Sequence, residues 1–242
     1  HCYKIYIKFI MQNFIISLIP PIIMKLYQKY KLSNTIKNSF EYEINFFNRT
    51  SFISRALHKF DLENCKYLEI GVCTNEVFNS IPLLTKNKIG VDPVSGGTHR
   101  MTSDDFFKKN SEKFDVIFID GLHLYEQCQK DCINALDSLN DNGIIIFHDM
   151  LPRNYLEENI PPKQKTWSGD VWKVAVEIVN SNDLDFIIAN IDRGVGILKP
   201  KKNYNYKIMN ELKTMDFNDF YDLFYNKLPI VDAESALKFI DN

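Results

Sequence analysis

The stretch FDVIFIDGLHLYEQ, residues 114–127, runs four apolar residues straight into Asp120, Gly121 and, two positions on, His123. A second stretch, GIIIFHD, ends in the same style with His148 and Asp149. Carboxylates and imidazoles are the side chains that exchange protons and hold cations. Placed just beyond buried apolar runs, they stand at the rim of a core and not inside it. Three further runs end in polar groups: Glu69 and Gly71 in KYLEIGV, Asp92 in KIGVD, and Ser103 and Asp104 after HRMT.

The elements that carry these groups can be read from the spacing of apolar residues. From Lys66 onward, short apolar runs alternate with helical segments. KYLEIGV reads as a buried strand, NEVFNSIPLL as a helix and KIGVD as the next strand. HRMTS reads as a short third strand, with DDFFKKN opening a helix, and FDVIFID as the fourth strand. Leu122, Tyr125, Cys128, Cys132, Leu136 and Leu139 then mark one face of a helix. DNGIIIFHD is a fifth strand after an Asp-Asn-Gly turn, and DVWKVAVEIV is a helix. DFIIANID and RGVGILK follow so closely that they must pair antiparallel.

This order predicts an α/β fold: a Rossmann-like, doubly wound, seven-stranded and mostly parallel sheet whose last strand is antiparallel, preceded by N-terminal helices. Three parts are expected: a helical extension over 1–60, the sheet domain over 61–200 and a helical appendage over 201–242. Ligands of such sheets bind beyond the carboxyl ends of the strands, where the acids and imidazoles lie.

Composition narrows the function. The net charge of −2 offers no basic footprint for nucleic acid. Five cysteines without metal-knuckle or disulfide spacing point to a reducing, cytoplasmic setting. The chain begins at His1, and Met11 is a plausible start. The apolar stretch FIISLIPPIIM, residues 14–24, is too short to cross a bilayer as a helix and is interrupted by Pro20 and Pro21. No small-residue cleavage site marks a signal peptide. The stretch is expected to pack on the domain or on a partner chain; peripheral membrane contact, aided by Lys25, Lys29 and Lys31, is the alternative.

The first strand end is a Gly71 loop that lets backbone approach a ligand, yet it lacks the G-x-G-x-x-G of a pyrophosphate cradle. Glu69 on one strand and Asp92 on the next suit a ligand with an amine and a ribose but no phosphates. Loop capping is the alternative role for both acids.

Taken in order, LEIGV, IGVDP, TSDDFF, FDVIFIDGLHLYEQ, GIIIFHDMLP, GDVWK and RGVGIL resemble the class I S-adenosylmethionine-dependent methyltransferases, most of all a branch that modifies sugars and polysaccharides. The resemblance spans residues 66–199. It implies that Glu69 and Gly71 line the methionine part of the cofactor, Asp92 holds the ribose, and Ser103 and Asp104 lie near the adenine. Asn75 stands where the family usually has a second glycine, and asparagine tolerates the left-handed backbone better than other side chains. Asp120 would sit where the transferable methyl points. A sugar hydroxyl needs a base or a divalent cation to act as nucleophile at neutral pH. The resemblance places Asp120 and Asp149 as ligands of Mg²⁺, with His148 and Met150 at neighbouring positions, and His123 as the alternative base.

The long segment 151–165 is expected to cover the site. Trp167 beyond it could pack on a sugar ring, and Asp170 is expected to cap the helix that follows. The reading is thus an O-methyltransferase acting on a small-molecule or glycan hydroxyl, with homo-oligomerisation open. A nicotinamide-dependent sugar reductase or epimerase would need the missing glycine-rich loop, and its Tyr-x-x-x-Lys spacing occurs only at Tyr27 and Lys31, outside the sheet. A non-catalytic binding protein of the same fold would not need acids at every strand end.

Overall fold

The computed structural model describes residues 39–42 and 46–242. The helical reading of residues 11–38 and the membrane contact through residues 14–24 fall outside the described residues. Among the described residues no helix is long and apolar enough to cross a membrane.

Seven strands form one sheet: β1 (Tyr67–Ile70), β2 (Lys88–Val91), β3 (Phe114–Ile119), β4 (Leu139–Phe147), β5 (Asn182–Ala189), β6 (Val195–Asn205) and β7 (Ile230–Val231). Their spatial order is β2-β1-β3-β4-β6-β5-β7. β1 pairs parallel with β2 and β3, and β3 with β4, while β6 is wedged antiparallel between β4 and β5. The mostly parallel sheet with an antiparallel strand is therefore as expected.

The count of seven is reached differently. HRMTS makes only an isolated bridge, Val91 to His99. Its Thr102, still extended, is the N-cap of the next helix: its hydroxyl accepts from Asp105 N at 3.1 Å. The seventh strand is β7, which pairs parallel with β5. The segment after residue 200 is thus built into the sheet: β6 runs on to Asn205, and β7 is followed by a core helix.

The helices are α1 (Arg49–Leu57), α2 (Glu76–Ser80), α3 (Ser103–Lys109), α4 (Tyr125–Asp137), α5 (Tyr155–Glu158), α6 (Trp172–Val179) and α7 (Ala233–Asp241), with short helical turns between residues 210 and 227. β3 and β4 are apolar on both sides because both faces are covered. Ile117, Ile119, Ile145 and Phe147 meet α4 and α6 on one face. Val116, Phe118, Ile144 and Ile146 meet α1 and α7 on the other. α1 starts with a capping box between Asn48 and Ser51 and buries Phe52, Ile53, Ala56 and Leu57. Its Arg55 makes a two-pronged ion pair with Asp241 of α7 at 2.6 and 2.7 Å.

One buried acid fastens the opposite face. Glu177 of α6 accepts from the hydroxyls of Tyr125 and Tyr206, from the Gln129 amide and from Met209 N, each at 2.7 Å. A carboxylate met by four donors tolerates full burial, since each lone pair lost to water is replaced.

Candidate active site

The turn after β1 is shaped by close approach. Gly71 has φ +88°, and a Cβ there would stand 2.0 Å from the Asp120 carbonyl oxygen. Only glycine lets the ends of β1 and β3 meet in this way. Asn75 adopts the left-handed conformation, φ +66°, directly before α2, and its side-chain oxygen accepts from Gly97 N at 2.8 Å. The loop thus keeps a left-handed corner without the second glycine.

Asp92, at the end of β2, accepts from Cys73 N at 2.9 Å and from Val94 N and Ser95 N at 2.8 Å. Burial alone would raise its pKa, but these three backbone donors hold it below the usual carboxylate value. Asp92 therefore ties the first loop to the second; only the lone pairs left over face outward. Glu69 lies beneath the loop, almost fully buried, and takes the Tyr67 hydroxyl at 2.7 Å. Burial pushes its pKa up to about 7 against that hydrogen bond.

The ends of β3 and β4 bring the four expected groups together. Asp120 Oδ1 lies 3.3 Å from His123 Nε2 and 3.2 Å from His148 Nδ1. His148 Nδ1 is 3.4 Å from Asp149 Oδ1, and His123 Nδ1 is 3.2 Å from Asp149 Oδ2. The His123 Nδ1–H is directed to the Trp167 carbonyl at 3.1 Å. A nitrogen on each side of this ring faces an acceptor, which favours the imidazolium. Burial would lower its pKa, but the Asp120 hydrogen bond and the Asp149 charge carry it above its ordinary value. Burial likewise opposes the charge on His148, but Asp120 and Asp149 outweigh it and raise that pKa as well. The two imidazoles in turn overcome burial and hold Asp120 well below the carboxylate range.

Three residues that sequence reasoning did not single out complete the cluster. The Arg49 guanidinium, from the first turn of α1, touches His148 and lies 3.6 Å from Asp192. Asp192 Oδ1 is 3.4 Å from His148 Nε2. Arg193 Nε donates to Asp149 Oδ1 at 2.7 Å. Asp192 and Arg193 sit in the β5–β6 turn with φ +45° and +60°, and Asp149 itself has φ +61°. Left-handed non-glycine residues cost about 1–2 kcal/mol each. The chain accepts that cost where it turns these side chains inward. The only trace of this in the sequence is the charged pair before Gly194 in a tight hairpin. His148 is 4% exposed and enclosed by Arg49, Asp192, Asp120 and Asp149, which suits holding its neighbours more than meeting a substrate. Met150 is buried beside Gly196 and faces away from the cluster into the core.

The donor set fits a divalent cation. Asp120, His123 and Asp149 each offer one atom, and the three atoms lie within 4.8 Å of one another. Asp149 Oδ2 is buried and has no hydrogen-bond partner, because the nearby His123 N–H points elsewhere. Carboxylates suit Mg²⁺ and Mn²⁺, and the imidazole tips the preference towards transition ions.

Ser103 and Asp104, at the start of α3, meet α4. The Gln127 amide nitrogen lies 3.2 Å from Ser103 Oγ, 3.0 Å from Asp104 Oδ1 and 3.2 Å from Asp131 Oδ1. Asp131, buried at the edge of the apolar face of α4, was not foreseen. Burial pushes its pKa up to about 6 against the Ser103 and Gln127 hydrogen bonds. A small cavity of about 10 Å³, room for about one water, lies between Asp120, His123, Asp131, His148 and Val171. A wider groove of about 500 Å³ runs past Arg49, Asp192, Glu76 and Ser80.

Segment 151–170 folds over His123. The Trp167 ring lies 5.3 Å from the His123 ring, and its Nε1 donates to the Asn159 carbonyl at 3.0 Å. Asp170 does not cap α6, whose N-cap Val171 has no side-chain bond. It reaches back instead to Tyr125 N at 2.7 Å and caps α4.

A family model described as a methyltransferase domain matches residues 68–150, from β1 to the acids beyond β4. The match to a methyltransferase domain thus runs over the strand ends just described. Among solved structures it is similar to an O-methyltransferase from Bacillus cereus in complex with SAH, at 14% identity over 78% of this chain and 96% of that one, with a TM-score of 0.47. It is also similar to the SAH-bound methyltransferase PaMTH1 of Podospora anserina, at 13% identity over 76% and 99% of the two chains, with a TM-score of 0.44. No curated protein matches the sequence.

Proposed function

We propose that this chain transfers the methyl group of S-adenosylmethionine to a hydroxyl oxygen, and that the acceptor is a sugar or glycoconjugate. The observation that carries the reading is the buried, unbonded Oδ2 of Asp149 facing Asp120 and His123 across two strand ends. In this reading Gly71, Asn75 and Asp92 shape the cofactor loop, with Glu69 beneath its methionine end. Ser103 and Asp104 flank the adenine.

The acceptor oxygen attacks the sulfonium methyl carbon, the S–C bond breaks as the O–C bond forms, and S-adenosylhomocysteine leaves. Much of the rate comes from alignment. The acceptor proton passes to a base at the cluster: a carboxylate, or His123 once its imidazolium has given up its proton. A divalent cation on Asp120, Asp149 and His123 would lower the pKa of a bound hydroxyl. His148, Arg49 and Asp192 hold Asp120 and the end of β4 in place. The sugar acceptor rests on the resemblance of the motifs, supported by Trp167, whose ring stands over His123.

Incubation with methyl-labelled S-adenosylmethionine and a panel of nucleotide sugars, glycosides and catechols tests the reading. Label on a sugar hydroxyl is the expected result. Label on nitrogen or carbon overturns the oxygen assignment, and label on catechols alone overturns the sugar. Calorimetry should show binding of S-adenosylhomocysteine and none of NADH. Chelation should abolish transfer, with Mn²⁺ or Mg²⁺ restoring it; full activity in chelator assigns the chemistry to His123 without a cation.

A further inference from the structure

The β5–β6 turn does more than join two strands. Asp192, Arg193 and Gly194 are all left-handed, at φ +45°, +60° and +84°. The turn is fastened to the chain beyond β4 by two backbone bonds, Met150 N to Gly194 O at 3.1 Å and Leu151 N to Arg193 O at 2.9 Å. A Cβ on Gly194 would stand 2.6 Å from Leu151 N, so the two segments meet main chain to main chain. The residue just before this seam is Asp149, also left-handed and 1% exposed on its side chain. Two strained turns are therefore locked face to face, and one ion pair crosses between them: Arg193 Nε to Asp149 Oδ1 at 2.7 Å.

The pair is one-sided. Oδ1 is taken by the guanidinium, while Oδ2 is buried without a hydrogen bond and faces His123 at 3.2 Å. A buried carboxylate ordinarily satisfies both oxygens. Here rotation to do so is blocked by the bond to Arg193.

We propose that Arg193 is a positioning residue that sets Asp149 as a single-oxygen ligand for a divalent cation shared with Asp120 and His123. This inference rests on the proposed methyl-transfer site. It differs from simple charge balance in the sign of its consequence. If Arg193 only neutralised Asp149, removing its charge would tighten cation binding. If it orients Asp149, removing its hydrogen bond loosens cation binding, by about 10–100-fold as for other groups that hold a metal ligand in place.

The test uses the full chain and Mn²⁺ alone, followed by electron paramagnetic resonance and calorimetry, in Arg193→Met and Arg193→Gln. Methionine has similar reach and no donor, whereas glutamine keeps an N–H without the charge. The expected result is Mn²⁺ binding weakened at least tenfold in R193M and held within about threefold of wild type in R193Q. Affinity for S-adenosylhomocysteine should be unchanged in both. Equal or tighter Mn²⁺ binding in R193M overturns the proposal, as does wild-type protein that binds no Mn²⁺. Joint loss of Mn²⁺ and S-adenosylhomocysteine binding in both variants also overturns it, by making Arg193 a residue of the fold. Methyl transfer by the wild type is scored separately: its absence refutes the function, while transfer without Mn²⁺ binding refutes only the role of Arg193.

Discussion

Gly169 lies against the main-chain carbonyl of His123 so closely that a Cβ on it would stand 1.8 Å from that oxygen. Gly169 N and Ser168 N both donate to the Glu157 carbonyl, at 3.1 and 2.9 Å. Arg153 Nε and N fix the Glu157 carboxylate from the other side, each at 2.9 Å. The segment over His123 is thus seated by main-chain contacts, with the Arg153–Glu157 pair behind them.

Gly169→Ala should unseat it. Alanine would be strained at φ +65° and would collide with His123. We expect a loss of about 2–3 kcal/mol in thermal or urea unfolding. Turnover should fall further than affinity for S-adenosylhomocysteine, since the His123 ring would lose its cover. Wild-type stability in G169A would refute the seating.

Asp92→Ala should weaken S-adenosylhomocysteine binding by about 1.5–3 kcal/mol, the range for a lost charge-assisted partner. Three amides of the loops after β1 and β2 would lose their common acceptor. Titration calorimetry gives the number, and an unchanged dissociation constant would confine Asp92 to a role far from the cofactor.

Glu158 offers a pH signature away from the chemistry. Burial pushes its carboxyl from 4.5 up to about 7, against the Trp172 N–H bond and with help from the Asp170 charge. A group whose folded pKa is raised contributes stability that is complete below the unfolded pKa and fades as pH rises through the folded one. Glu158→Gln should therefore gain on the wild type between about pH 4.5 and 7, by roughly 3 kcal/mol at most, and hold that gap above pH 7. Parallel unfolding curves at several pH values check it; a gap that opens only below pH 4.5 would have the wrong sign.

Much of the fold could be read along the chain because six strands carry short, mostly apolar runs that both faces of the sheet require. HRMTS misled because its threonine serves better as a helix cap than as a strand residue. β7 is two residues long, too short for any periodicity to register. At the site, Asp120, His123, His148 and Asp149 were visible because each ends or follows an apolar run. Arg49, Arg193 and Asp192 were not, since their partners lie 99, 44 and 44 positions away in the chain and only the closed sheet brings them in. Asp170 was seen as a cap but assigned to the wrong helix for the same reason: its amide partner is Tyr125, 45 residues back.

The pairing of β7 with β5, and of Arg55 in α1 with Asp241 in α7, bears on how the protein is made. α1 is synthesised well before its partner helix, and Ala233, Ala236 and Ile240 of that helix belong to the same buried cluster as Phe52, Ile53 and Leu57. A ribosome that has delivered every group of the proposed site, through Arg193, has not yet delivered α7. One flank of the nascent sheet therefore stays uncovered for as long as translation from Arg193 to the end of α7 takes, at roughly 5–20 residues per second a matter of seconds. The sheet thus closes only once α7 has arrived, well after the residues of the proposed site.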